Sequence, residues 1–151
     1  MRCSITRDPI DTTQVLASVG APEDGAVLLF LGVVRNHNEG RSVTGIHYDA
    51  YIEMAERVLE EIAAEAVERL RTDRITVIHR IGELEVGETS TAIAVSSAHR
   101  AEVFDAARYI IEEIKVRLPV WKEERYVEGD RQWLDGEVPV VAKTEGKGEG
   151  R

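Results

Sequence analysis

The chain has 151 residues, 43% of them apolar and 31% charged, with 19 Lys and Arg against 28 Asp and Glu for a formal net charge of −9. That length suits one globular domain with a continuous core, and the acidic balance disfavours broad contact with nucleic acid or an anionic membrane. A single cysteine, Cys3, excludes an internal disulfide and a multi-thiolate metal site. Neither a signal-like start nor a membrane-length apolar run is present, so a cytoplasmic location is expected.

In chain order, Asp8-Pro9 reads as the cap and first turn of a short helix ending at Gly20, with Val15, Leu16 and Val19 as its apolar stripe. Residues 26–34 are an unbroken apolar, β-rich run and predict a central strand that ends on the polar loop 36–41. Residues 42–51 alternate imperfectly and predict a second strand, most economically a hairpin partner of the first. From 52 to 71, apolar residues recur at three- and four-residue steps (Ala55, Val58, Leu59, Ile62, Ala66), which predicts a long amphipathic helix.

Residues 74–81 and 89–97 predict two more strands separated by the glycine-bounded segment 82–88. A second long helix follows on the stripe Val103, Ala107, Ile110, Ile114 and Leu118, with Ser97 available as its cap and Pro119 as its stop. Residues 120–134 predict two short strands around a Gly129-Asp130 turn, and residues 142–151 predict a flexible polar tail to a single domain over 1–141. The order helix-β-β-α-β-β-α-β-β lacks regular βα alternation and predicts an α+β domain.

Three basic clusters stand out against the acidic background. His99-Arg100 lies where a strand hands over to a helix, a position suited to clamping a phosphate or carboxylate, although a solvated first turn explains the same residues. Lys115 and Lys122 flank the turn forced by Pro119. Two neighbouring ammonium groups depress each other's proton affinity and suit proton transfer, whereas a lysine at a helix end is equally a routine complement to the helix dipole. Glu123 and Glu124 read as counter-ions or as surface charges. Arg35 ends the most apolar strand and opens a loop with His37 and Arg41, beside Gly32, which would allow close backbone approach. His79 and His47 read as structural. Motifs of the GxxxxGK, GxGxxG and GxSxG types and His/Cys metal spacing are missing, and no bound cofactor or metal is expected.

Taken together and in order, several stretches resemble the large, catalytic subunits of molybdopterin synthases. They are Phe30-Leu31-Gly32-Val33-Val34-Arg35-Asn36-His37-Asn38-Glu39-Gly40, Tyr48-Asp49-Ala50-Tyr51, Ile78-His79-Arg80-Ile81-Gly82, Ser97-Ala98-His99-Arg100, and Lys115 with Pro119-Val120-Trp121-Lys122-Glu123 and Glu128-Gly129-Asp130. The similarity runs from about residue 25 to residue 133, and the counterpart of a further basic residue near Asp135-Gly136-Glu137 is not evident.

The resemblance implies an α/β-hammerhead-like fold, a mostly antiparallel sheet packed with two long helices. It also implies a sulfurtransferase that converts cyclic pyranopterin monophosphate into the dithiolene of molybdopterin, using sulfur carried as a thiocarboxylate on the C-terminal Gly-Gly of a small ubiquitin-fold partner. By the same resemblance, Lys115 and Lys122 are the catalytic pair, oriented by Glu123 or Glu124. Val33, Val34, Arg35, His99 and Arg100 join them in binding substrate. The assembly implied is a homodimer within a heterotetramer, its active sites drawing on both large subunits. Two other readings share these residues: a non-catalytic module that binds an anionic protein C-terminus, and a small enzyme that processes acyl-thioesters.

Overall fold

The computed structural model describes residues 1–72 and 74–127 in full, and 131–134 as backbone alone. In chain order the elements are β1 (Arg2–Thr6), α1 (Thr12–Ala17), β2 (Ala26–Val33), β3 (His37–Asn38), β4 (Arg41–Ala50), α2 (Ile52–Leu70), β5 (Arg74–Arg80), β6 (Gly82–Glu85), β7 (Thr89–Ser97), α3 (Arg100–Arg117), β8 (Val120–Tyr126) and β9 (Arg131–Leu134). One sheet has the order β1-β5-β7-β2. The second runs β3-β4-β8-β9, with β6 also paired to β4. All pairs are antiparallel except β1 with β5. The fold is therefore α+β, as the element order predicts.

Side-chain alternation organises the first sheet. Ile75 and Val77 of β5, Ile93 and Val95 of β7, and Leu28 and Phe30 of β2 face α2 and α3, where Leu59, Ile62, Ala66, Val103, Ile110 and Ile114 complete the main core. The other parity, with Leu29, Leu31, Ile78, Ala92 and Ala94, packs with Val15 of α1. Each fully buried aliphatic such as Leu59 or Ile110 contributes roughly 1.5–3 kcal/mol. α2 and α3 are further tied by Arg117, whose guanidinium donates to Glu65 at 2.7 and 3.1 Å, and by the Tyr109 hydroxyl, which donates to the same carboxylate at 2.6 Å.

Four expectations are corrected. β1 escapes the hydropathy pattern because it is a short outer strand in a polar stretch, held by parallel pairing to β5. The first helix starts at Thr12, since the Asp11 carboxylate accepts from the amides of Thr13 and Gln14 at 3.1 and 3.2 Å while Asp8 belongs to a turn closed by Thr6. The hairpin of 26–34 with 42–51 does not form. β2 pairs with β7, because a run apolar at both parities belongs in a sheet covered on both faces, and β4 joins the second sheet. Ser97 does not cap α3: it is buried at the end of β7 opposite Ala26, and His99 takes the cap position without a side-chain bond.

The two-strand reading of 120–134 holds as β8 and β9, and α3 ends at Arg117, ahead of Pro119. The Gly129-Asp130 turn, residues 135–137 and the 142–151 tail lie outside the described residues. Among the described residues no helix is long and apolar enough to cross a membrane.

Candidate functional site

Gly32 pairs with Thr91, and Thr91 pairs with His79, so these three form one row across the first sheet at the end of the face that carries the core. Just past the last core layer, where the sheet runs out from under α3, that row becomes the floor of a cavity of about 430 Å³. The last turns of α3 form one wall through Ile114 and Lys115. The second sheet forms another through Tyr48, Lys122 and Glu124, and Arg35 stands at the rim after β2. Tyr48 and Lys122 are cross-strand partners, as are Ile46 and Glu124, so strand alternation turns all four to the cavity.

The floor is polar but uncharged. The Nδ1 of His79 lies 2.9 Å from the carbonyl oxygen of Arg80. A carbonyl only accepts, so Nδ1 carries the proton. Burial pushes the imidazole down to about 4, opposed by that bond and assisted by the charge of Lys115, which leaves the ring neutral near pH 7 with its lone pair on Nε2. Tyr48 and this ring meet edge to face, with centroids 5.3 Å apart. Burial also raises the Tyr48 phenol, against a hydrogen bond with Ser90, and Ser90 in turn donates to the Gly32 carbonyl at 3.2 Å. Glu124 is 3% exposed and accepts from the Asn38 amide at 3.2 Å. The Tyr126 hydroxyl also bonds to it, and the Arg41 guanidinium lies over the Tyr126 ring, 3.6 Å from its centroid.

Of the residues singled out in the sequence, Val33, Val34, Arg35, Lys115, Lys122 and Glu124 line this one cavity. Glu123 does not: it pairs with His47 on the opposite face of the second sheet. Val34 has its N–H donated to the Glu88 carbonyl at 3.0 Å, and its carbonyl accepts from the Gly87 amide at 2.8 Å. Its amide is thus already committed. Gly32 is not needed for close packing, since an added Cβ would lie at ordinary contact distance from Thr91 and Ser90.

His99 and Arg100 are exposed at the start of α3, whereas Lys115 is near its end. Fifteen residues of helix separate Arg100 from Lys115 by roughly 22 Å, so one copy of the chain does not bring them together. Asn38, Tyr48, His79 and Ser90 escaped the sequence reading as site residues. For His79 a signal existed, because alternation from Ile75 and Val77 puts a histidine where the strand should present another core aliphatic. Among the described residues no three His, Cys, Asp or Glu side chains are grouped to hold a metal ion.

Fold and site define an α+β protein with a lysine- and arginine-edged cavity between a helix end and two sheets, suited to an anionic ligand. Residues 5–117 match the MoaE protein family, and the chain belongs to it. The sequence is 43% identical over 122 residues to molybdopterin synthase catalytic subunit 1 of Mycobacterium tuberculosis, covering 81% of this chain and 83% of that protein. It is 41% identical over 144 residues to the molybdopterin synthase catalytic subunit of Pyrococcus abyssi, covering 94% and 97%. In structure it is similar to the molybdopterin synthase of Staphylococcus aureus, with a TM-score of 0.84 at 35% identity over 89% of this chain and 97% of that one.

Proposed function

We infer that this chain is the catalytic subunit of a molybdopterin synthase, moving sulfur from the C-terminal thiocarboxylate of a small ubiquitin-fold carrier protein to cyclic pyranopterin monophosphate. The observation that carries this reading is the convergence of Lys115, Lys122 and Arg35, from three separate elements, on one cavity with a neutral floor. The cavity mouth takes the carrier's Gly-Gly end and the anionic pterin. Lys115 stabilises the oxyanion that develops at the carrier's terminal carbonyl and moves protons during attack and acyl release. Lys122 assists, with Glu124 as the carboxylate on its own face of β8. The sulfur itself comes from the carrier, which accords with a cavity whose lining holds no cysteine. Two carriers are consumed for each dithiolene.

His99 and Arg100 bind the phosphate or pterin from a second copy, in a homodimer with one carrier at each end. Their exposure and their distance from the Lys115 of the same chain favour this arrangement. The test is reconstitution: this protein, a thiocarboxylated carrier and the pterin precursor are mixed and the dithiolene product is measured. Product is expected. Its absence with competent reagents, alongside intact carrier binding, would leave a module that only captures an anionic protein terminus.

A further inference from the structure

We propose that His79 is a positioning residue for Lys115, an imidazole in the cavity floor whose Nε2 lone pair accepts from the ammonium and holds it toward the reacting carbonyl. This rests on the role given to Lys115 above.

Four observations support it. His79 ends the row Gly32, Thr91, His79, on the sheet face that α3 covers, and it lines the same cavity as Lys115. Its tautomer is fixed by the Arg80 carbonyl, so Nε2 is an acceptor. Its ring is braced by an edge-to-face contact with Tyr48. Lys115 stands near enough for its charge to add to burial in disfavouring the protonated imidazole. The other titratable groups facing the cavity are Arg35 after β2, His37 in β3, Tyr48 in β4, and Lys122 and Glu124 in β8. In that company the choice of imidazole has a physical reason. A carboxylate at position 79 would lock the ammonium in an ion pair, a protonated imidazole would repel it, and an aliphatic would leave it without an acceptor on the floor. A neutral nitrogen acceptor directs the ammonium and leaves its charge available.

The test compares His79→Phe, which keeps a ring against Tyr48 and lacks the lone pair, with His79→Gln, which keeps an acceptor. Single-turnover sulfur transfer and carrier affinity are measured in the reconstituted complex. The titration of Lys115 is followed separately by NMR on the protein with isotopically methylated lysines. In the Phe variant the chemical step is expected to slow about 100-fold while carrier affinity stays within about threefold. The Lys115 titration should move down by about one pH unit, because an acceptor that stabilised the ammonium has been removed. The Gln variant should recover most of both.

Phe and wild-type proteins turning over alike, or Phe and Gln variants equally impaired with wild-type melting behaviour, would overturn the proposal. If the wild type makes no product, the functional reading fails on its own, and the Lys115 titration still decides this one: no shift in the Phe variant overturns it. Should the Phe variant not fold, Lys115→Met serves in its place, since the coupling is reciprocal. An unmoved His79 resonance in that variant would likewise overturn the proposal.

Discussion

Tyr48 and His79 meet edge to face across the gap between the two sheets, with ring centroids 5.3 Å apart and planes at 80°. One belongs to β4 and the other to β5, so this contact joins the sheets at the cavity floor. Replacing Tyr48 with Phe keeps the contact and removes only the hydroxyl that bonds Ser90, at an expected cost of about 1 kcal/mol. Tyr48→Ala removes the contact itself and should cost about 3 kcal/mol or more. Urea denaturation of the two variants checks this, and equal midpoints would show that the rings do not join the sheets.

Lys115→Ala should lower product formation by about 100- to 1,000-fold, the scale of losing one oxyanion-stabilising donor, while carrier affinity measured by calorimetry changes little. A proportional loss of binding and turnover would instead point to a capture module.

Arg100→Ala and Lys115→Ala should each be nearly inactive alone. If a site takes its lysine from one copy and its arginine from the other, a mixed dimer contains one intact site. Exchanging the two variants in equal amounts should then restore roughly a quarter of wild-type activity. No recovery after verified subunit exchange would place both residues in the site of a single chain, against the helix length that separates them.

Acid should weaken the fold in two windows. His79 titrates near 6.5 when unfolded and is held to about 4 by burial. The unfolded chain therefore binds the extra proton, and stability falls as pH drops from about 6.5 toward 4. Glu65 is lowered from its ordinary 4.5 to about 2 by Arg117 and then Tyr109, so its contribution, full above about 4.5, is lost on descent toward 2. Stability curves of His79→Phe should be flatter in the first window, and those of Glu65→Gln flatter in the second. Parallel curves would contradict the assignments.

Gly45 sits in the crowded centre of β4. A Cβ there would come 2.7 Å from the Leu84 carbonyl and press on the Arg125 guanidinium. Gly45→Ala should therefore cost about 1–3 kcal/mol through displaced pairing of β4 with β6, read as a lowered denaturation midpoint. An unchanged midpoint would mean that β6 yields freely.

Much of this architecture was legible in the residues. The stripes of α2 and α3 gave both long helices because their periodicity reports burial directly, and the β-branched runs gave β2, β5 and β7. Partnering was not legible. The loop after β2 suggested a local hairpin, whereas the apolar residues at both parities of that strand determine its place beside β7, a relation visible only once the helices and α1 cover the sheet. For the site, charge contrast singled out Arg35, Lys115 and Lys122, which do converge. Glu123 and Glu124 could not be told apart without the β4–β8 register, which turns only the second inward. His79 belongs to no motif, and only its parity with Ile75 and Val77 sets it apart in the sequence. Its meaning lies in the row it shares with Gly32 and Thr91.

Val34 is pinned from both sides by residues 87 and 88, and Glu88 is itself anchored to the Arg80 guanidinium and the Glu85 amide, each at 2.8 Å. β2 can therefore pay out no slack to the loop beyond it. Arg35 swings from a fixed post, and its span over the mouth is limited to the length of its own side chain. An anion in the cavity would thus meet that guanidinium only within the reach of one side chain from a fixed stretch of backbone.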